Sequence, residues 1–506
     1  MAASDKFASL IGSIRPEATN IVIFGASGDL TKRKLLPALA HMHRWNLLGP
    51  NSRIIGAVRE HWTKSHWQNY VHDQLLRYFP DAVLNPSSWR RISDKLDLVN
   101  GDLADPEMYQ QLVKSLHAHE GKKNTLFYLA IPPSWYACVC QNLHDAGLAD
   151  ESEGFRRIVV EKPFGMDYES AKGLNTQLQT YFQESQIYRI DHYLGKEAVQ
   201  NLMIFRFANA VLEPLWNRNY IDHVQISVSE SLGIGYRAGY YESSGAFRDM
   251  IQSHLMQVMT LVAMEPPVSL DADDVRDEKM KVLRSMREIK PEDVGSIAVR
   301  AQYGAGEMDG ESVPAYRDEE NVADDSCTET FAAVKFHVDN WRWQGVPFVL
   351  RTGKRLPQRV SEICIRFKEP PQKLFQCDED TVRHNELVFR LQPDEGMHLS
   401  MTSKQPGLST ALRGVQLNAP YGMMGSGMPE AYETLLHDVM LGEAGLFSRA
   451  DEVEESWKIV APILDVWVKE KDISSYPAGS FSIPEVDKLL DDCEGDWRDL
   501  GVHYEE

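Results

Sequence analysis

Short apolar runs that end at a turn residue set the rhythm of the first third of the chain. Asn20 to Phe24 closes at Gly25, Arg53 to Val58 closes at Arg59, and Asp97 to Val99, Asn124 to Ala130 and Arg157 to Val160 follow. Runs that are apolar on every position suit parallel strands covered on both faces. Helical patterns separate them, and that alternation predicts a doubly wound parallel α/β sheet. Past Gln186-Ile187-Tyr188 the period changes. Asp222 to Glu230 alternates polar with apolar, and further strands fit Thr328 to Asp339, Val346 to Arg351, Glu362 to Phe367 and Glu386 to Gln392. Grouped strands of period two predict an α+β domain built on a large antiparallel sheet. The division falls between residues 1–188 and 189–506. A long helix fits Phe247 to Glu265, stopped by Pro266-Pro267. Helices also fit Glu430 to Leu441 and Asp451 to Val460, the latter ending before Pro462. Residues 310–325 read as an acidic loop, and Ser474 to Glu506 as a docking tail.

Chemistry enters first at the glycine turn. Gly25, Ser27, Gly28, Asp29 and Leu30 lie between a buried strand and an amphipathic helix. In a Rossmann-like domain the amides of such a turn and the helix N-terminus receive a pyrophosphate. The spacing lacks one glycine of the usual GxGxxG. At the end of the second strand stands Arg59, where an NAD site wants a carboxylate for the ribose 2′-hydroxyl. A guanidinium fork there suits a 2′-phosphate, which favours NADP. Ser27 and either Lys32 or Lys34 would add contacts. Asp102-Leu103, Ala130 to Pro133 and Glu161-Lys162-Pro163 follow strand ends, where ligands of such sheets sit.

Composition narrows the partners. The 506 residues carry a formal charge of −21, which argues against nucleic acid or an anionic membrane. An anionic substrate must then be held by a local basic cluster. Six cysteines (Cys138, Cys140, Cys327, Cys364, Cys377, Cys493) have no metal spacing and read as reduced cytoplasmic thiols. The N-terminal residues lack the apolar core of a signal peptide, and no run of eighteen apolar residues occurs.

The basic cluster is Arg189-Ile190-Asp191-His192-Tyr193-Leu194-Gly195-Lys196-Glu197, in which five of nine residues can carry charge. If its second half is helical, His192 and Lys196 share a face at i and i+4 and suit a phosphate dianion. On the long helix, Asp249 and His254 stand five apart, about 140° round an α-helix, and so are not natural partners.

The RIDHYLGKE stretch resembles the signature of the glucose-6-phosphate dehydrogenase family. GASGDL, EKPFG, RDMIQSHLMQ and RTGKRLPQR resemble that family in the same order. The resemblance implies oxidation of glucose 6-phosphate at C1 with hydride transfer to NADP, the first step of the oxidative pentose phosphate route. It implies His254 as the base, Asp191 as its partner, and Lys162 at the cofactor and sugar together. It assigns the phosphate to His192, Tyr193 and Lys196. Sugar hydroxyls go to Glu230, Asp249 and Lys162, with Lys354 and Arg359 closing the site. It assigns Tyr136 to the dinucleotide and gives Ser27 and Arg59 their cofactor roles. A homodimer or homotetramer that buries one face of the large sheet is expected. Some members hold a second, structural NADP. Here Arg351 and Arg390 match, but Val360, Cys364, His398 and Ser400 stand where its donors belong, so that site is expected to be absent. Two other readings remain: another NAD(P) sugar oxidoreductase, since an EKP segment also occurs in the glucose-fructose oxidoreductase family, and a non-catalytic sugar-phosphate sensor.

Overall fold

The computed structural model describes residues 14–118, 124–372, 374–375, 384–408, 410–421 and 430–501. Cys377, the extreme termini and Met428 lie outside them. The first sheet has seven strands in the order 447–448, 187–190, 156–160, 125–129, 20–24, 53–58 and 96–100. Six run parallel, as the apolar runs demand, and the burial of every residue in Thr125–Leu129 marks the sheet's centre. The seventh, Phe447–Ser448, is antiparallel and comes from far downstream. Two corrections to the expected division follow. The sixth parallel strand, Ile187–Ile190, runs past residue 188, and the second half of the chain completes the first sheet.

The second sheet has nine strands in the order 412–420, 396–404, 386–392, 360–367, 221–229, 347–353, 331–337, 298–304 and 474–477. It is mostly antiparallel but mixed. Ile221–Ser229 pairs in parallel with Pro347–Gly353, and Ser474–Pro477 pairs in parallel with Ala298–Gly304. The tail is therefore part of this sheet, with Tyr476 buried at its edge. The hairpin Gly396–Lys404 and Leu412–Pro420 gives no alternation in sequence because most of both strands is exposed.

The helix Ala450–Lys469 runs through Pro462 rather than stopping before it. Its buried stripe (Val453, Trp457, Val460, Ile463, Leu464, Trp467) continues on both sides of the proline, and that burial outweighs one missing backbone bond. The same helix carries Glu452, whose carboxylate meets Lys279 Nζ of the helix Ala272–Arg284 at 2.7 Å, both side chains 0 % exposed. Lys279→Ala leaves that carboxylate buried and unpaired. Denaturant unfolding should register a loss of about 3–5 kcal/mol.

Candidate active site

The turn after the first strand is built for close approach. Gly25 has φ +78°, and a Cβ on it would stand 2.3 Å from the Ala130 carbonyl oxygen. Gly28 N donates to Gly25 O at 2.9 Å, and Thr31 Oγ1 donates to the same oxygen at 3.1 Å. Asp29 pairs with Lys32 and Arg33 at 3.0 Å each, so it braces the first turn of the helix. Leu30 packs against the core beneath that turn. Arg59 is exposed at the end of Arg53–Val58, and Ser27 Oγ lies 3.3 Å from Glu60 Oε1. Asp102 caps Ala104 N at 2.9 Å, while Leu103 O accepts from Tyr109 at 2.7 Å.

Tyr136 braces the end of the strand Arg156–Val160. It is 0 % exposed, and its hydroxyl donates to Glu161 O at 3.0 Å and accepts from Glu161 N at 3.1 Å. With its ring in the core and its oxygen engaged by one peptide, it holds the Glu161-Lys162-Pro163 segment in place at the strand end.

Lys162 is aimed across the two halves of the chain, next to a cis Lys162–Pro163 bond. Its Nζ donates to Asp249 O and, at 2.9 Å, to Ser253 Oγ, and lies 3.6 Å from Asp249 Oδ1. The helix it meets is not α-helical there: Phe247–Leu255 is a π-helix, followed by the α-helix Met256–Ala263. This overturns the 140° estimate. A five-residue hydrogen-bond repeat brings residues five apart to one side, so Asp249 and His254 share the face that Lys162 approaches.

His254 Nδ1 lies 2.5 Å from Asp191 Oδ1, which also accepts Tyr193 N at 2.9 Å. His254 and Asp191 are each 2 % exposed or less. Burial alone would push Asp191 upward, but the His254 ring, its hydrogen bond and Lys162 overcome it and hold the carboxyl well below its ordinary range. Burial pushes His254 down, and Lys162 adds to this against the opposing pull of Asp191. The resting state is carboxylate with neutral imidazole. Its Nδ1–H donates to Asp191, and Nε2 keeps its lone pair for a proton. Burial pushes Asp249 up; Lys162 and His254 reverse that and keep it ionised.

The rings of His192 and Tyr193 stand 4.6 Å from that of His254. Residues 192–195 form a turn, and the helix begins only at Glu197, so His192 and Lys196 do not share a helical face. A turn brings them together instead. Lys196 Nζ sits 3.9 Å from the Tyr193 ring centroid and donates to Gln392 Oε1 at 3.2 Å. Arg359 Nη2 reaches the same oxygen at 3.3 Å, which places two cations at one point. Burial lowers Lys196 to about 8 and holds His192 well below its ordinary value. Lys354 Nζ meets Glu230 Oε2 at 2.8 Å across the neighbouring strand ends.

Arg351 and Arg390, considered above for a second nucleotide, are engaged within the chain. Arg351 bonds Ser227 Oγ at 2.9 Å and Arg498 O at 2.7 Å, and lies 4.4 Å from the Trp497 ring. Arg390 pairs with Glu362 at 3.2 Å, and Arg498 with Glu362 at 2.9 Å. Several site residues escape sequence reasoning because they act from other elements. Tyr240 donates to Asp249 at 3.1 Å, Gln392 joins the two cations, and Glu60 contests Ser27. Glu161, raised to about 7 by burial against hydrogen bonds from Tyr128 and Tyr432, backs Lys162. Only Glu161 had a signal, its place in the EKP segment.

Two family models match the chain: the glucose-6-phosphate dehydrogenase NAD binding domain over residues 22–201 and the C-terminal domain over 203–498. The chain is 42 % identical over 490 residues to glucose-6-phosphate 1-dehydrogenase of Aggregatibacter actinomycetemcomitans, covering 96 % of this chain and 98 % of that protein. It is 42 % identical over 492 residues to the Bacillus subtilis (strain 168) protein of the same name, covering 94 % and 97 %. A solved glucose-6-phosphate dehydrogenase in complex with its substrate glucose 6-phosphate superposes with TM-score 0.87 at 37 % identity, covering 96 % of this chain and 100 % of that one.

Proposed function

We infer the roles of the site from one premise: the chain belongs to the glucose-6-phosphate dehydrogenase family. It is an NADP-dependent dehydrogenase that oxidises D-glucose 6-phosphate at C1 to 6-phosphoglucono-1,5-lactone, the first step of the oxidative pentose phosphate pathway. The observation that carries the assignment of roles is the buried Asp191–His254 pair beside the turn of His192, Tyr193 and Lys196.

The glycine turn fits a dinucleotide, because Gly25 at positive φ packs directly on the Ala130 carbonyl and so makes the tight strand-to-helix turn that presents backbone amides. Ser27, Gly28 and the exposed Arg59 would hold it there. NADP, when bound, supplies the hydride acceptor. His254 Nε2 takes the proton of the C1 hydroxyl, and Asp191 fixes the tautomer and stabilises the imidazolium. Lys162, Asp249 and the Glu230–Lys354 pair hold the sugar hydroxyls, so that C1 and base keep one geometry. Lys196, His192, Tyr193 and Arg359 hold the phosphate. An absorbance assay for NADPH with glucose 6-phosphate tests the reading; equal rates on free glucose would favour an oxidoreductase without a phosphate cradle. Binding of both ligands without NADPH would make it a sensor.

The chain binds one NADP, because Glu362 and the tail residues Trp497 and Arg498 engage Arg351 and Arg390. Equilibrium dialysis should give one NADP per chain; two would refute this. The protein acts in the cytoplasm as a homodimer or homotetramer, using the second sheet, whose outer hairpin exposes Met401, Leu408 and Leu417. Among the described residues no helix is long and apolar enough to cross a membrane.

A further inference from the structure

A cavity of about 560 Å³ lies behind the active-site helix, bounded by Gly245 and Arg248 on one side and by Arg300, Arg317, Trp467 and Lys471 on the others. It contains no residue of the glycine turn or of the Lys196 cradle. A second space of about 280 Å³ adjoins it, with Arg248 lining both.

Its cations are held in an unusual way. Arg248 Nε donates to Met166 O at 3.2 Å and Arg317 Nε to Ser326 O at 2.9 Å. Arg300 Nη2 donates to the carbonyls of Glu470 and Asp472, and its guanidinium lies 5.5 Å from the Trp467 ring centroid. Backbone carbonyls orient all three without neutralising them. Among the described residues, none of these arginines, nor Lys471, has a carboxylate oxygen within 4.0 Å. Acids outnumber bases by 74 to 53 in this chain, and other arginines such as Arg342 and Arg449 find carboxylates. Cations left unpaired around one space are what an anion site needs against a negative global field.

The acids that line the cavity do not fill that role. Glu242 Oε1 accepts Tyr316 and, at 2.8 Å, Ser326 Oγ, while Glu329 Oε1 accepts Phe247 N at 3.0 Å. Both carboxylates hold internal donors, and the buried Glu329 also feels the charges of Arg248 and Arg300 without contacting either. Asp325 and Glu470 are exposed at the rim, as Arg317 and Lys471 are, and water screens all four there, while Arg248 and Arg300 are half-buried. Arg248 and Arg317 are bonded through Nε, which leaves their terminal nitrogens to match phosphate oxygens in pairs, and the volume is that of a small-molecule site.

We propose that this cavity is a second anion site, which takes a compact phosphate dianion such as a diphosphate group between Arg248, Arg300 and Arg317. The proposal does not depend on the reaction assigned above. Inorganic pyrophosphate is the probe, titrated calorimetrically into full-length protein. Because it also suits Lys196 and Arg59, the reference protein carries Arg59→Ala and Lys196→Ala. One pyrophosphate per chain should still bind it. Adding Arg300→Ala with Arg317→Ala should weaken that binding at least tenfold, and Lys471→Glu alone, at an exposed position, should weaken it too. Loss of all binding in the reference protein overturns the proposal. So does an affinity that stays within twofold when Arg300 and Arg317 are removed.

Discussion

His254→Asn is expected to lower kcat by about 10²–10⁴ while leaving glucose 6-phosphate bound nearly as well. Asparagine retains polarity and much of the volume but cannot accept the C1 proton, and the phosphate contacts lie on other residues. NADPH absorbance gives kcat, and calorimetry on the variant gives the dissociation constant. A kcat within threefold of the parent would remove His254 from the role of base. The pH profile adds a second reading. Burial and Lys162 hold the His254 imidazolium unfavourable, so the base stays neutral to a lower pH than a free imidazole, whose pKa is about 6.5. Protonation removes the base, so the rate falls on the acid side. The acid limb of kcat/KM should therefore lie below about 6.5.

How far the sequence reveals this site follows from where its contacts come from. The strands of the first sheet are legible because both faces are covered, so Thr125–Leu129 is buried at every position and carries a continuous run of large apolar and aromatic residues after Thr125. The glycine turn is legible because its geometry is local. The partnership of Asp191 with His254 is not, since 63 residues separate them and only the packing of the second half brings carboxylate and imidazole together. Spacing also misplaced Asp249 relative to His254, because an α-helical repeat was assumed where the chain forms a π-helix. Glu329 supports that departure. Its carboxylate accepts Phe247 N, and Gly245, at φ +62°, leaves the space a Cβ would deny, 2.2 Å from Glu329 Oε1. No periodicity announces a cap supplied from 82 residues downstream. The chemistry of Lys196 is legible in the sequence, but the helix expected to carry it begins one residue later, at Glu197. The tail reads only as a docking segment because Ser474–Pro477 is too short and polar to read as a strand without its partner Ala298–Gly304.

Lys196→Ala should raise the KM for glucose 6-phosphate by about ten- to a hundredfold and change kcat far less. A hydrogen bond between a charged donor and a phosphate contributes about 1.5–3 kcal/mol, and each 1.4 kcal/mol is tenfold in affinity. Arg359 meets the same Gln392 oxygen, so some cationic charge remains and the loss should stay within that range. The phosphate is remote from C1, and its contacts should therefore hold ground and transition states alike, which predicts an effect on KM. Titration separates this from simple misfolding. Burial lowers Lys196 to about 8, so its ammonium is lost as pH rises through that value. In the parent protein KM should climb above about pH 8 as this donor disappears. In Lys196→Ala the climb should be absent, leaving KM high and level across that window. A climb of equal size in both proteins would assign the phosphate to another cation.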